Sequence, residues 1–473
     1  MSLLALSGTN SAVAGGYDIA NSCKFEDDND EWLYRANVSG TNTKTWTVSW
    51  WFKQTELRSV MGTATNHWTG GAYGEATRAG VDEYDRLWID VGGGDGNPGS
   101  RFRSLSTARL RDTAAWYHVV IACDSTQSTE ADRLKVWLNG VEVTVWDQHQ
   151  IPTLNFASGL AGFAGIQMKW GSTDATYSGY SGYLAECNYL DGVTATQNDF
   201  GEFDEDSGIW KPKAYTGSYG TNGTYLDFTN ASDLGDDKSG NGNDYTLNNI
   251  TSADQATDTP TNSFCTLNPL MANAGPANYL PITEGGIKAV NTAAAYKIAN
   301  STFGVTSGKW YWEVKATDVN GVTAIGVTMP NYWDADYTLQ GCIYYAQGPQ
   351  RYNNASASSF GSGYTDGDII SFALDMDATP PTMEVYKNNV SEGNLMAGLT
   401  INGTGAAFLP EKEDGYFPKV VGYNANTFEC NFGGFTTFSI SSAESDENGY
   451  GTFEYAPPSG YYALCTKNLA EYG

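Results

Sequence analysis

Basic residues are scarce in this chain. Lysine and arginine number 26 against 54 aspartates and glutamates, a formal net charge of −28, which argues against nucleic acid and membrane insertion as modes of action. Such an excess favours solubility, above all in salty water, where repulsion is screened. Histidine is scarcer still. His67, His118 and His149 stand far apart with no H-x-H or H-E-x-x-H among them, so neither a zinc site nor a catalytic triad is signalled. The seven cysteines include no C-x-x-C pair, and their odd count fits no complete disulfide set. They are expected to be small core residues of a chain folded in a reducing cytoplasm. Long hydrophobic runs are missing too. The opening MSLLALSGTNSAVAGG has only four consecutive apolar residues and no basic start, which predicts neither a signal peptide nor a membrane span. No G-x-S-x-G elbow, P-loop or heptad repeat occurs.

What is abundant is glycine (54), tyrosine (30) and tryptophan (14), a profile of many short strands joined by tight turns. The 473 residues suit two domains of roughly 200 to 250 residues. In the first half, TWTVSWWFK from Thr45 alternates, with Trp46, Val48, Trp50 and Phe52 on one face and Thr47, Ser49, Trp51 and Lys53 on the other. WYHVVIAC from Trp116 is a further strand, in which His118 is expected to face solvent. Leu134, Val136 and Leu138 face inward and Val141, Val143 and Val145 return after Asn139-Gly140, the pair a type I′ hairpin turn requires. GYLAECNYL from Gly182 is the last strong strand before Asp191-Gly192. In the second half, SGKWYWEVKA from Ser307, DGDIISFALDMD from Asp366 and MEVYKNNV from Met383 alternate in the same way. The fold class expected is all-β: two consecutive antiparallel β-sandwich (jelly-roll) domains, 21–251 and 285–473. Residues 1–20 read as a tail or short anchor. Residues 252–284, with four prolines, read as an ordered linker whose Phe264, Leu267 and Leu270 bury against one domain.

Between the two halves lies YTGSYGTNGTYLDFTNASDLGDDKSGNGNDYTLNNIT, 215–251, a Gly/Asn-rich joint with strand-like alternation only in TYLDFT. Within it Asp237, Ser239, Asn241 and Asp244 surround Gly242, close to the start of a calcium loop. Asn248 stands where such a loop has its bidentate glutamate. The alternative is a tight turn held by Asx side chains.

TWTVSWWFK, WYHVVIACD, LKVWLNGVEV and GYLAECNYLDG, in that order, resemble the concanavalin-A-like, laminin-G-like jelly roll. That resemblance implies carbohydrate binding on one concave sheet or its rim, often beside calcium. SGKWYWEVKATDVNGVTAIGV, GDIISFALDMD, MEVYKNNV and YFPKVVGYN resemble the SPRY domain over about 285–465, which implies protein recognition through loops and not catalysis. GSYGTNGTYLDF, DKSGNGNDYT, TPTNSFCTLNPL and PPSGYYALCTKNL, taken with this pairing, resemble structural proteins of tailed, marine-type bacteriophages. The implied location is the virion exterior, as tail fibre or capsid decoration. The implied partners are other virion proteins and host cell-surface polysaccharide, and the implied state is a homo-oligomer.

Aromatic side chains outside the core pattern are the candidate ligand contacts: Trp51, His67, Trp68, Tyr177, Tyr180 and Tyr183, since such rings offer flat stacking area at low entropic cost. The competing reading of each is packing at a sandwich rim. Catalysis of the glucanase type needs two carboxyl groups about 5 Å apart. Glu83-Tyr84-Asp85 and the run Glu202 to Asp206 are the near matches, the second expected as an acidic loop.

Overall fold

The computed structural model describes residues 16–36, 42–56, 62–68 (backbone), 77–93, 101–158, 167–171, 179–270, 279–329, 341–348, 350–353, 356–401, 408–409 and 411–473. The described chain divides between Thr261 and Asn262. Both units are built of mainly antiparallel sheets, as the alternation predicts.

The first unit packs two eight-stranded sheets. One runs, in spatial order, Val141–Glu142, Leu134–Leu138, Tyr117–Asp124, Thr45–Gln54, Gly182–Asp191, Ser22–Phe25, Gln255–Ala256, with Thr224–Leu226 also on Gly182–Asp191. The other runs Trp146–His149, Arg101–Arg109, Arg86–Gly92, Thr77–Val81, Gly62–Trp68, Gln167–Trp170, Trp32–Ala36, Thr246–Asn248. Trp46, Val48, Trp50 and Phe52 from the first sheet meet Leu87, Ile89 and Val91 from the second in one buried cluster. Trp50 and Trp170 pack edge to face at 6.3 Å, worth about 1 kcal/mol beyond the area they bury. The Asn139-Gly140 turn has φ of 46° and 79°, as type I′ demands. Gly140 is doubly constrained, because a Cβ there would lie 2.2 Å from the Trp210 ring. Of the three returning valines only Val143 packs on the core; Val141 and Val145 are exposed.

The 215–251 stretch, expected inside the first domain, contributes strands to both sheets of the first sandwich. The stretch expected as an ordered linker, 252–284, is divided between the two units. Its front half adds Gln255–Ala256 to the edge of the first sheet, while Phe264 and Leu267 are buried in the second unit. Residues 16–20, the described end of the expected tail, are also docked: the Tyr17 hydroxyl donates to Glu186 at 3.1 Å and the Ile19 N–H to Thr261 at 3.0 Å.

The second unit has one sheet ordered Ile282–Thr283, Lys288–Asn291, Asn426–Asn431, Lys309–Val319, Ile369–Asp375, Thr382–Lys387, Val390–Asn394, with Tyr462–Ala463 parallel to the start of Lys309–Val319. Its other sheet runs Lys297–Asn300, Phe417–Gly422, Thr323–Thr328, Cys342–Tyr345, Gln350–Asn353, Ser356–Ser359. Trp310, Trp312 and Val314 are fully buried, as are Ile370, Phe372, Leu374 and Met376. A short helix, Thr466–Tyr472, ends the chain. All seven cysteines are buried and none is in a disulfide.

Candidate functional site

Thr47, Ser49, Trp51 and Lys53 of the Thr45–Gln54 strand point away from the core, yet all four are buried. Each anchors a segment that crosses this outer face. The Thr47 hydroxyl donates to the Val193 carbonyl at 2.9 Å and accepts from the Ala195 N–H at 3.0 Å. Lys53 pairs with Asp258 at 2.7 Å, and the Trp116 indole donates to the same carboxylate at 2.9 Å. Between them Trp51 stacks on His118 at 4.6 Å, and His118 on Trp210 at 6.0 Å. Trp51 is therefore enclosed and not an open platform, because the hairpin Gly201–Phe203/Trp210–Pro212 lays Trp210 over the neighbouring His118 ring.

His118 does not face solvent; it is 1% exposed. The Trp210 indole N–H donates to its Nδ1 at 3.0 Å, so Nδ1 carries the lone pair. Nε2 then carries the proton and donates to the Ser49 hydroxyl at 2.9 Å. A base activating a serine needs the opposite polarity. Burial pushes the imidazole down to about 3, which keeps it neutral. Tyr180 and Tyr183 are likewise interior, at 3% and 0% exposure. Tyr180 edges against Phe25 and Phe52, and Tyr183 lies beside Trp116. The side chains of His67 and Trp68, and Tyr177 entirely, lie outside the described residues.

Three of the acidic candidates, Glu202, Asp204 and Asp85, are also engaged. Glu202 starts no loop; it pairs across the hairpin with Lys211. The Lys211 ammonium contacts Glu202 at 3.3 Å and Asp204 at 3.4 Å. Hydrogen bonds from Ser207 hold Asp204 below the usual carboxylate range, the wrong direction for a general acid. Asp85 sits in a turn and accepts from Arg111 at 2.6 Å. Asp237 uses both oxygens: one accepts the N–H groups of Tyr225 (2.9 Å) and Ser239 (3.0 Å), the other the Ser239 hydroxyl and the Asn243 N–H, both at 2.8 Å. Asp244 accepts the Asp237 N–H at 3.0 Å, and the Asn241 amide donates to the Gly220 and Gly223 carbonyls. A calcium cage presents oxygens to its centre. Here donors point at the carboxylate, so these residues do not fit the ion and form an Asx-held turn.

Glu186 is a group the sequence gave no reason to single out. It sits at a bulge between Ala185 and Asn188 with φ of 50°, and its carboxylate accepts from the Tyr17 and Tyr225 hydroxyls. Burial raises it to about 7.

The outer face of the other sheet has a different character. Leu87, Ile89 and Val91 point into the core, so Trp88 and Asp90 point outward. Arg78 and Arg103 flank Asp90 in register on the two neighbouring strands. Arg103 holds the Asp90 carboxylate through Nε at 2.9 Å and Nη2 at 3.1 Å, Arg78 at 3.4 Å, and Arg101 at 3.6 Å. Arg78 lies 4.7 Å and Arg103 5.8 Å over the Trp88 ring. Further along, the Lys169 ammonium lies 5.3 Å from the half-buried Trp32 ring.

No family model matches the chain, and no curated protein matches it. Among solved structures it is similar to the SPRY domain of human HERC1, at 21% identity over 31% of this chain and 89% of that one, with a TM-score of 0.25. It is also similar to the native heptameric SAP-like pentraxin from Limulus polyphemus, at 16% identity over 39% and 82% of the two chains, with a TM-score of 0.27. Scores this low add no argument to the fold, which rests on the strand pairing above.

The arginine set carried a sequence signal that went unread. Six of the chain's ten arginines, at 78, 86, 101, 103, 109 and 111, fall within one short stretch of a strongly acidic chain. Chemically, the set can bind an anion; nothing in it can hold or move a proton near neutral pH.

Proposed function

We propose that this chain is a non-enzymatic surface protein of a tailed-bacteriophage virion, whose two sandwiches present faces and loops to host cell-surface glycan or to another virion protein. One observation carries the reading. The His118–Ser49 pair is hydrogen-bonded in the wrong polarity for a base, and Glu202 and Asp204 are each ion-paired with Lys211. The strand pairing gives rigid frames, and the sequence motifs resemble those of phage structural proteins. Within this reading a receptor-binding fibre and a capsid decoration are both accommodated, in either case as a homo-oligomer.

Antibody labelling of intact particles in the electron microscope tests it. Label at tail tip or fibres, or over the head, is the expected outcome; particles that stay unlabelled while the lysate contains the protein would refute the virion assignment. Purified protein should release no reducing sugar from host polysaccharide. Release that Glu202→Gln with Glu205→Gln abolishes would establish a glucanase instead.

A further inference from the structure

We propose that the first unit closes itself with a covalent amide bond between the side chains of Lys24 and Asp254, formed with Glu31 as the proton carrier. The bond stands apart from the virion and glycan readings above.

The three side chains meet at one buried nitrogen. Lys24 lies on Ser22–Phe25, Glu31 immediately before Trp32–Ala36, and Asp254 immediately before the edge strand Gln255–Ala256. Ser22 pairs with Ala256 and Cys23 with Gln255, so the same register sets Lys24 opposite Asp254. The Lys24 Nζ lies 2.9 Å from both Glu31 oxygens and 3.0 Å from Asp254 Oδ1. All three residues are buried. The Asp254 Oδ2 accepts the Thr251 N–H at 2.8 Å and the Thr251 hydroxyl at 3.2 Å. The Asn29 amide donates to Glu31 at 3.1 Å and helps to fix that carboxylate.

Holding an ammonium between two carboxylates away from water is costly, since desolvation can exceed the Coulombic gain. Amide formation removes one charge of each sign. In the reaction the ammonium gives a proton to Glu31, which burial raises to about 7, so that it can take and return a proton near neutrality. Glu31 relays the proton to Oδ1, and a neutral amine then faces a neutral carboxylic acid. Nζ attacks Cγ and the N–C bond forms. Negative charge gathers on Oδ2, where the two Thr251 donors already point. A second proton passes from the nitrogen through Glu31 to Oδ1, the Cγ–Oδ1 bond breaks, and water leaves. Ammonium plus carboxylate gives amide plus water, with no change in net charge and no oxidant or co-reactant. Groups held this close make the step effectively unimolecular. The bond ties the first described strand of the unit to its last, so the edge strand cannot peel away, and closing so long a loop lowers the entropy of the unfolded chain.

The test is intact-mass spectrometry of the denatured full chain, followed by peptide mapping. Expected are a mass one water below that of the sequence and a branched peptide joining the segments that carry Lys24 and Asp254. Lys24→Arg and Glu31→Gln should each restore the full mass; the second keeps both bonded residues, so loss of the branch there assigns the proton carrier. A Glu31→Gln protein that still carries the branch overturns the role of Glu31. Full mass in the unsubstituted protein, with Lys24 cleaved by trypsin in the denatured chain, overturns the bond, whether or not any variant folds. Loss of one water that maps to a succinimide elsewhere overturns it as well.

Discussion

Acidification should weaken the first unit through His118. The ring is enclosed between Trp51 and Trp210, with the indole N–H aimed at Nδ1, so a proton on Nδ1 would set two donors against each other. Burial lowers the imidazole to about 3, against about 6.5 for the free group. As pH falls, the unfolded chain takes the proton first. The stability due to neutral His118 is therefore whole above pH ~6.5 and is lost progressively as pH falls toward 3. At pH 5 the loss is about 1.5 units at about 1.4 kcal/mol each, roughly 2 kcal/mol. Glu186 and Glu31, both raised to about 7 by burial, act in the opposite sense: the folded state takes up their protons first, so their contribution grows as pH falls from about 7 toward 4.5. The two effects separate in a comparison with His118→Phe, which keeps a ring in the stack and does not titrate. Hydrogen exchange on the full chain, followed in peptides covering Tyr117–Asp124, reads the opening free energy of this unit at each pH. The substitution should cost stability at pH 7, since Ser49 and Trp210 lose their partner. That cost should shrink by about 2 kcal/mol at pH 5. An equal cost at both values would refute the buried neutral imidazole.

Two further outcomes follow from the same geometry. Asp258→Ala removes the carboxylate facing the fully buried Lys53 and the Trp116 indole; it should destabilise the first unit by about 3–5 kcal/mol, measured by urea denaturation, and a loss under about 1 kcal/mol would show that the pair is open to water. Excess chelator should leave the melting temperature within about 1 °C, because the Asp237 oxygens already accept four protein donors; a fall of several degrees would mean an ion binds there and stabilises by mass action.

The strands were legible in the sequence and their faces were not. Alternation depends only on the two-residue period of a strand, so TWTVSWWFK and SGKWYWEVKA declared themselves, and Asn139-Gly140 declared its turn through the φ > 0 it must adopt. Alternation says which residues avoid the core; it does not say that they meet water. Thr47, Ser49, Trp51 and Lys53 read as a polar, half-open face, and each proves to be an anchor for a distant segment: 193–195, His118 with Trp210, and Asp258. The second unit repeats the pattern. Glu313, alternating with Trp312 and Val314, is fully buried and accepts the N–H groups of Glu454 and Tyr455, both at 2.9 Å, together with the Tyr311 hydroxyl and the Asn431 amide. Apart from that of Tyr311, two residues away, those contacts span more than a hundred residues in sequence, beyond any local period. They also explain why apparent linkers proved to be structure, since a Gly/Asn-rich or Pro-containing segment can lie flat on a sheet wherever one buried side chain holds it.

This roofing redirects the search for a ligand surface. Of the aromatic candidates, Trp51 and Tyr183 belong to the first sheet and Tyr180 lies just before the Gly182–Asp191 strand, and all three rings already have partners from the same chain. The second sheet differs in composition for a physical reason. Its outward positions carry arginines whose charge must stay near water or near an acid, and one aspartate serves several of them.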